Sequence, residues 1–222
     1  AYAKAPTVTR VRNTACGTIG SSIWSCPLDG GTTLTITGTG FGTAGSSITV
    51  FGLCEDTPVH TPGKEDTEIT CTLAPNFPNT YVTVFLFGVG GFSTGTNVYV
   101  RYAATPALTT LIHSPCATLY GAPGSLHSCP VSGGNTLTIV GSGFGALSID
   151  AVSVDADICA DSLVHVPGQE DTMLTCTLQT NAPLSNFTVT LWSIGGSSEE
   201  NGYLYLAYSD VPVINNFYHS LC

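Results

Sequence analysis

The sequence predicts an all-β protein of two tandem β-sandwich domains, followed by a spare first strand at the C-terminal end. A run from Gly30 to Gly42, in which apolar and threonine positions alternate between glycines, returns from Gly133 to Gly145, 103 residues later. Alternation at period two is typical of a half-buried strand, and no stretch shows a sustained helical period. Turn residues recur roughly every 8–12 positions, the spacing found in β-sandwiches.

The length and charge of the chain limit what it can do. Its 222 residues suit two domains of about 100 residues, each large enough for a core of its own. Only 9% of the residues are charged, against about 25% in an average protein, and the net charge is −10. This balance argues against nucleic acid as a partner, because phosphate binding needs basic side chains. All the basic residues lie in the first half: Lys4, Arg10, Arg12, Lys64 and Arg101.

Strands are predicted in the same order in both halves, which we call the first copy (1–104) and the second copy (105–209). The first copy opens with a strand over 5–12 and continues with the long alternating strand. Later strands of the first copy are predicted over 47–51, 69–73, 81–87 and 97–102. Their counterparts in the second copy are predicted over 148–154, 173–178, 187–192 and 203–208. A period near 100 residues indicates tandem domains, since the repeats of solenoids are much shorter.

A third opening sequence follows the second copy. Residues 210–222 match the start of both copies, and each later start places a histidine three residues before a cysteine (His113 and His219). The chain therefore has three opening strands for two sandwich bodies. We expect the spare strand to pair with a neighbouring subunit or with a further domain.

The nine cysteines also follow the repeat. Cys116 and Cys129 match Cys16 and Cys26, while Cys159 and Cys176 match Cys54 and Cys71 at the same separation of 17. We expect four disulfides, Cys16–Cys26, Cys54–Cys71, Cys116–Cys129 and Cys159–Cys176, with Cys222 unpaired or bonded between molecules. Disulfides favour a secreted or cell-surface protein. Asn186-Phe187-Thr188 is an N-glycosylation sequon, and no apolar run approaches the 18 residues of a membrane span.

The first strand led by proline, the Gly-Gly-x-x-Leu-x-Ile-x-Gly-x-Gly-Phe pattern (30–41 and 133–144) and the later cysteine pair resemble the IPT/TIG domain. The resemblance covers nearly the whole chain twice, and the start of a third copy. It implies an immunoglobulin-like β-sandwich, an extracellular binding or scaffolding role, and no catalytic residues. The DNA-binding members use basic loops, which this acidic chain lacks. The pairs Cys16–Cys26 and Cys116–Cys129 go beyond the minimal family pattern.

Several polar clusters deserve weighing as sites. Residues 60–67 (His-Thr-Pro-Gly-Lys-Glu-Asp-Thr) recur at 165–172 and suit either a ligand or cation site or a Pro-Gly turn; the turn accounts for most of the pattern. The glycines at 38–42 are not followed by the helix that a phosphate loop needs.

Two metal sites can also be considered. A zinc site formed by Cys54, His60 and Cys71 would not have the close cysteine spacing of structural zinc sites. Calcium at Asp155, Asp157 and Asp161 lacks the EF-hand spacing, and a solvated acidic edge is the simpler interpretation.

The sequence has neither a nucleophile elbow nor an obvious histidine cleft, so we expect the protein to have no catalytic activity and no cofactor.

Tyrosines on the last strand of each copy suit either a sugar-binding face or the packing of the sandwich: Tyr99, Tyr102, Tyr203, Tyr205 and Tyr208. Threonines on strand faces are candidate carriers of O-linked sugar: Thr33, Thr35, Thr37, Thr83 and Thr138.

The leading hypothesis is a secreted structural protein whose copies assemble head to tail into a filament or surface array, a homopolymer. Strand addition through Val211, Val213, Ile214 and Phe217, and a disulfide at Cys222, would join the subunits. The basic strand bearing Arg10 and Arg12 would face the acidic second copy. The alternative is an adhesin or receptor module that binds glycans or surface proteins.

Overall fold

The computed structural model of this chain describes residues 3–94, 97–145, 152–154 and 157–212. Strands dominate this part of the chain, and a single turn of 3-10 helix, Ser198–Asn201, is its one helical element. The all-β prediction is confirmed.

In the described part of the first copy there are eleven strands in three sheets. The strands are β1 (Thr7–Arg12), β2 (Gly17–Ile19), β3 (Ser22–Cys26), β4 (Thr33–Thr39), β5 (Thr49–Val50), β6 (Val59–His60), β7 (Glu68–Thr72), β8 (Tyr81–Thr83), β9 (Leu86–Gly88), β10 (Gly91–Phe92) and β11 (Tyr99–Tyr102). One sheet has the order β1-β4-β7-β6, another β2-β3-β11-β8, and a small sheet has the order β10-β9-β5. The only parallel pair described among them joins β11 to β3.

The second copy repeats this plan. Its strands are β12 (Ala107–Ile112), β13 (Ala117–Thr118), β14 (Leu126–Cys129), β15 (Thr136–Ser142), β16 (Ser153–Val154), β17 (Val164–His165), β18 (Met173–Thr177), β19 (Asn186–Val189), β20 (Leu191–Ser193), β21 (Gly196–Ser197) and β22 (Leu204–Tyr208). The sheet orders are β12-β15-β18-β17, β13-β14-β22-β19 and β16-β20-β21.

The long alternating strand is the centre of each copy. In β4, Leu34 and Ile36 are fully buried, while the threonines that alternate with them along the strand are exposed or half-buried. Burial of each such side chain contributes about 1.5–3 kcal/mol. The opening strand β1 pairs with one edge of β4 and β7 with the other, both antiparallel. The strand pairs β12–β15 and β15–β18 reproduce this arrangement, so each copy has a separate core.

Two predicted strands are wrong as single elements. The run 81–87 is split into β8, which pairs with β11, and β9, which pairs with β5. The run 187–192 is likewise split between β19 and β20. The backbone leaves one sheet and enters another at residues 84–85 and 190, and this crossover keeps the apolar alternation that made each run look continuous.

Four disulfides cross-link the two copies internally. They join Cys16 to Cys26, Cys54 to Cys71, Cys116 to Cys129 and Cys159 to Cys176. Each bond therefore has an equivalent in the other copy. Disulfides of this kind stabilise a domain by restricting its unfolded chain.

Candidate interaction surface

The repeated polar motif is a turn that closes the long strand. The backbone carbonyl of Glu65 lies 2.6 Å from His60 Nδ1, and the Glu65 carboxylate accepts a 2.9 Å hydrogen bond from the Gly63 N–H. Asp66 accepts bonds from the N–H groups of Gly40 (3.3 Å) and Gly42 (3.0 Å), 26 and 24 residues away. The motif thus ties a loop to the glycines that end β4.

The second copy makes the same contacts. His165 Nδ1 lies 2.7 Å from the Glu170 carbonyl oxygen, Glu170 accepts a bond from Gly168 N–H at 3.0 Å, and Asp171 accepts one from Gly145 N–H at 3.2 Å. The hydrogen bond from Gly168 is the main reason why the pKa of Glu170 is lowered, as the bond from Gly63 is for Glu65. These side chains hydrogen-bond to nearby backbone groups, as the interpretation of the motif as a Pro-Gly turn predicts.

The acidic edge of the second copy also serves the backbone. Asp161 accepts hydrogen bonds from the N–H (2.6 Å) and the hydroxyl (2.8 Å) of Thr177, and these bonds lower its pKa. Asp56 and Thr72 repeat the pair at 2.7 and 2.8 Å. Asp155, the third member of the calcium hypothesis with Asp157, lies outside the described residues. Among those described, no three His, Cys, Asp or Glu side chains form a group suited to a metal.

The tyrosines of the last strands divide into two classes. Tyr102 and Tyr208 are buried, and their hydroxyls donate hydrogen bonds to the carbonyls of Ala74 (2.7 Å) and Gln179 (2.6 Å), so neither belongs to a sugar-binding face. Tyr205 on β22 and Tyr203, which directly precedes that strand, are both exposed. In the first copy, the ring centroids of the half-buried Tyr99 and of Tyr81 are 4.8 Å apart. The Arg101 guanidinium carbon lies 5.7 Å from the centroid of the Tyr81 ring.

Sequence reasoning missed the most unusual surface. Four phenylalanines, which we call the phenylalanine patch, lie on the outer face of the small sheet β10-β9-β5 and its flanks: Phe51 (45% exposed), Phe85 (40%), Phe87 (45%) and Phe92 (54%). Their rings contact one another, with centroids 4.8 Å apart for Phe87–Phe92 and 5.4 Å for Phe85–Phe92. A contiguous exposed apolar patch is typical of an interaction site.

The sequence does indicate part of the patch, because every residue of the run 84–87 is apolar. Val84 and Leu86 are fully buried, and the alternate positions that should be polar on a solvated face are phenylalanines. A strand with apolar side chains on both faces needs a second apolar partner or presents an exposed surface.

Among its described residues, the second copy has no such patch. By strand register Phe87 corresponds to Trp192, because Thr49 faces Phe87 and Ser153 faces Trp192. Continuing along the strands, Phe85 corresponds to the buried Thr190 and Phe92 to Ser197. The aromatic cluster is therefore not a requirement of the fold.

The residues expected to take part in assembly or modification are placed as follows. Arg10 and Arg12 lie on β1, an edge strand that already pairs with β4, and Arg10 Nη2 donates a 3.3 Å bond to the Gly20 carbonyl. Val211 is exposed, whereas Val213, Ile214, Phe217 and Cys222 lie outside the described residues. Asn186 is exposed at the start of the edge strand β19, where a sequon is accessible.

Of the five threonine candidates for O-linked sugar, Thr33 and Thr83 are exposed. The other three, Thr35, Thr37 and Thr138, are half-buried. The two exposed positions are therefore the better acceptors.

Within the described ranges, no helix has the length and apolar character that crossing a bilayer requires.

Comparison with known proteins places these features in a family. Residues 18–102 and 125–205 each match the IPT/TIG domain. No curated protein matches the sequence. Solved structures with some similarity include SGBP-B from a complex xyloglucan utilization locus in Bacteroides uniformis, with 19% identity over 87% of this chain and 47% of that one and a TM-score of 0.31.

Two further similar structures are bacterial. InvD of Yersinia pseudotuberculosis has 11% identity over 96% of this chain and 60% of its own, with a TM-score of 0.32. The Escherichia coli adhesin FdeC has 14% identity over 93% of this chain and 66% of its own, with a TM-score of 0.33. The chain spans less than two thirds of the length of these structures. The two domain matches cover most of its residues, and the chain therefore belongs to the IPT/TIG domain family.

Proposed function

We propose that the chain is a non-catalytic building unit of an extracellular filament or surface array, in which tandem sandwiches join head to tail. The observation that carries the proposal is the phenylalanine patch, which is exposed on the first copy and has no equivalent cluster among the described residues of the second. An adhesive surface on one copy alone favours contact between unlike surfaces. Such contacts give open filaments when the rotation between subunits does not close a ring.

The third opening sequence supports assembly as well. In the described residues, both long strands already pair with the opening strand of their own copy, β4 with β1 and β15 with β12. We therefore assign the apolar positions of 210–222 to a strand added to a neighbouring subunit or domain, with Cys222 available for an intermolecular disulfide. Attraction between the basic β1 and the acidic second copy acts in the same direction.

Electron microscopy of native material, with intact mass measured under non-reducing conditions, tests the proposal. The expected result is regular filaments or arrays, with cross-linked species that collapse to the monomer mass on reduction. Monodisperse monomers carrying a free Cys222 thiol would overturn it.

The intact mass also tests the N-glycosylation sequon. An excess over the mass of the sequence that a glycosidase removes, and that an Asn186→Gln variant lacks, would show that the sequon is occupied.

A second candidate is an adhesin or receptor module for glycans or surface proteins. It is favoured by Tyr203 and Tyr205, two exposed aromatic residues that lie two positions apart at the start of the last strand. Aromatic faces stack on apolar patches of ligands. Glycan-array or pull-down binding that is lost on Tyr203→Ala/Tyr205→Ala, and kept on Tyr120→Ala, is the expected outcome. Tyr120 is a fully exposed aromatic residue in a turn outside β22 and so serves as the control.

A further inference from the structure

The contact between the two copies shows how one sandwich meets the next. We call the end at which a copy's opening strand begins its leading end, and the end at which its last strand finishes its trailing end. A cavity between the copies is lined by Leu28 and Pro78 from the trailing end of the first copy. Trp192, Gly195 and Gly196 line it from the leading end of the second copy. An apolar trailing end thus faces an aromatic leading end.

The same leading end on the first copy carries part of the phenylalanine patch. Phe87 is the equivalent of Trp192 by strand register, and Phe92 lies next to it. The hairpins correspond too: a Cβ at Gly90 would collide with the Lys4 carbonyl, and a Cβ at Gly195 with the Ala104 carbonyl. Phe87 and Phe92 therefore occupy the place that meets a trailing end in the junction between the copies.

The trailing end of the second copy is apolar in the same way. Val131 is the equivalent of Leu28, since its carbonyl accepts the N–H of Asn181 as that of Leu28 accepts the N–H of Asn76. Leu184 stands where the first copy has Asn79, and both have a left-handed backbone, with φ of 60° and 57°. Asparagine suits this conformation and a branched apolar residue does not. Leu184 is nevertheless 63% exposed there.

Resting on the proposed function, we infer that the trailing end of the second copy docks on the leading end of the first copy of the next molecule. Val131 and Pro183, the equivalents of Leu28 and Pro78, face Phe87 and Phe92 as Leu28 and Pro78 face Trp192 within the chain. The exposed Leu184, next to Pro183, adds apolar area to this contact. Charge agrees with this pairing. Lys4 is exposed at the leading end, and Asp210 is exposed at the trailing end. The occupant of the patch is thus a second copy of this chain.

Sedimentation velocity of the full chain over a range of concentrations tests the inference. The leading-end variant is Phe87→Ser/Phe92→Ser, and the trailing-end variant is Leu184→Asn, which installs the residue that the first copy uses at that backbone conformation. Tyr120→Ser is the control for loss of an exposed ring. Each interface variant should weaken self-association at least about tenfold, as for central apolar residues of an interface. Thermal unfolding at or above the wild-type temperature shows that the variants are folded, and Leu184→Asn should match or exceed the wild type because asparagine tolerates the left-handed backbone.

A mixture of the two interface variants is the decisive arm. The leading-end variant retains a trailing end and Leu184→Asn retains a leading end, so together they should form a 1:1 dimer that does not grow. If instead the patch of one molecule binds the patch of another, the mixture forms no such 1:1 dimer. A mixture without that dimer would overturn the inference. Assembly of Phe87→Ser/Phe92→Ser at wild-type strength would also overturn it, while leaving the array itself intact. A wild-type chain that stays monomeric at every concentration contradicts both the inference and the proposed function.

Discussion

Equivalent side chains of the two copies make the same hydrogen bonds at the scale of single residues. The Tyr102 and Tyr208 hydroxyls reach backbone carbonyls 28 and 29 residues earlier in the chain. Asp56 and Asp161 each hold a threonine 16 residues later. Preservation of these bonds in two diverged copies indicates that they maintain the fold, whereas the phenylalanines, which differ between the copies, do not.

Removing one buried hydroxyl should lower stability measurably. Tyr208→Phe deletes a hydrogen bond and leaves the Gln179 carbonyl without that donor, so we expect a loss of about 1–2 kcal/mol in the free energy of unfolding. Urea unfolding followed by circular dichroism measures it. Tyr203→Phe, at an exposed ring, should change the stability by less than about 0.5 kcal/mol. Equal effects of the two substitutions would contradict the assigned role.

The two aspartates should make stability depend on pH. Hydrogen bonds from the N–H and then the hydroxyl of Thr177 lower the pKa of Asp161 below its ordinary 3.8. A carboxyl with a lower pKa in the folded chain stabilises that chain above the unfolded pKa, and the contribution is lost as pH falls through the folded pKa.

Asp161→Asn should therefore reduce the free energy of unfolding at pH 7, and the difference from wild type should shrink as pH falls below 3.8. Unfolding curves measured between pH 7 and pH 2 check this, with Asp56→Asn as the counterpart in the first copy. A difference independent of pH would exclude the ionised carboxylate as its source.

At the scale of elements, the long strand, its closing turn and its neighbouring strand form one unit. The backbone of β1 approaches β4 so closely at Gly38 that a Cβ there would meet the Thr7 carbonyl and the ring of Phe41. Gly141 has the same relation to Ala107 and Phe144. The glycine is therefore required by contact with another strand, which the local pattern does not reveal.

Gly38→Ala should destabilise the first copy strongly, by about 3 kcal/mol, because a backbone atom has to move to make room for the methyl group. Gly31→Ala is the matched control, since its φ of 72° is left-handed but nothing lies within 4 Å of the added atom. That change should cost only about 1 kcal/mol. Thermal unfolding measures both, and a Gly38→Ala variant as stable as Gly31→Ala would contradict the close approach.

At the scale of the whole molecule, each copy has its own core, sheets and pair of disulfides. We therefore propose that residues 1–104 and 105–209 fold as separate domains. The contact between them includes the junction around Trp192, and the same kind of contact extends the array in our proposal.

Expressed alone, the two fragments should each form two disulfides and unfold cooperatively. Trp192 is the single tryptophan of 105–209, and that fragment lacks Leu28 and Pro78 of the junction cavity. Its fluorescence should therefore lie at longer wavelength than the Trp192 emission of a full-length Trp24→Phe variant. Identical spectra would show that the junction does not shield Trp192, and a fragment without a cooperative transition would contradict the domain division.

The sequence by itself determined the all-β class, the long alternating strand, the two copies and the family, because these follow from short-range periodicity, glycine positions and a repeat that can be aligned residue by residue. Leu34 and Ile36 alternate with threonine whatever surrounds them. The split of the run 81–87 could not be predicted in this way, since both halves keep the same alternation on different sheets.

Only the tertiary structure decided what the polar and aromatic side chains do. The Asp66 carboxylate accepts hydrogen bonds from the N–H groups of Gly40 and Gly42, more than 20 residues away in the sequence. Its motif is therefore a turn whose carboxylate is already hydrogen-bonded to the backbone. Phe51 joins Phe85 and Phe92 from distant points of the chain to form one patch. Exposure and convergence are properties of strands brought together by folding, and they separate the surface available for assembly from the residues that hold the sandwich together.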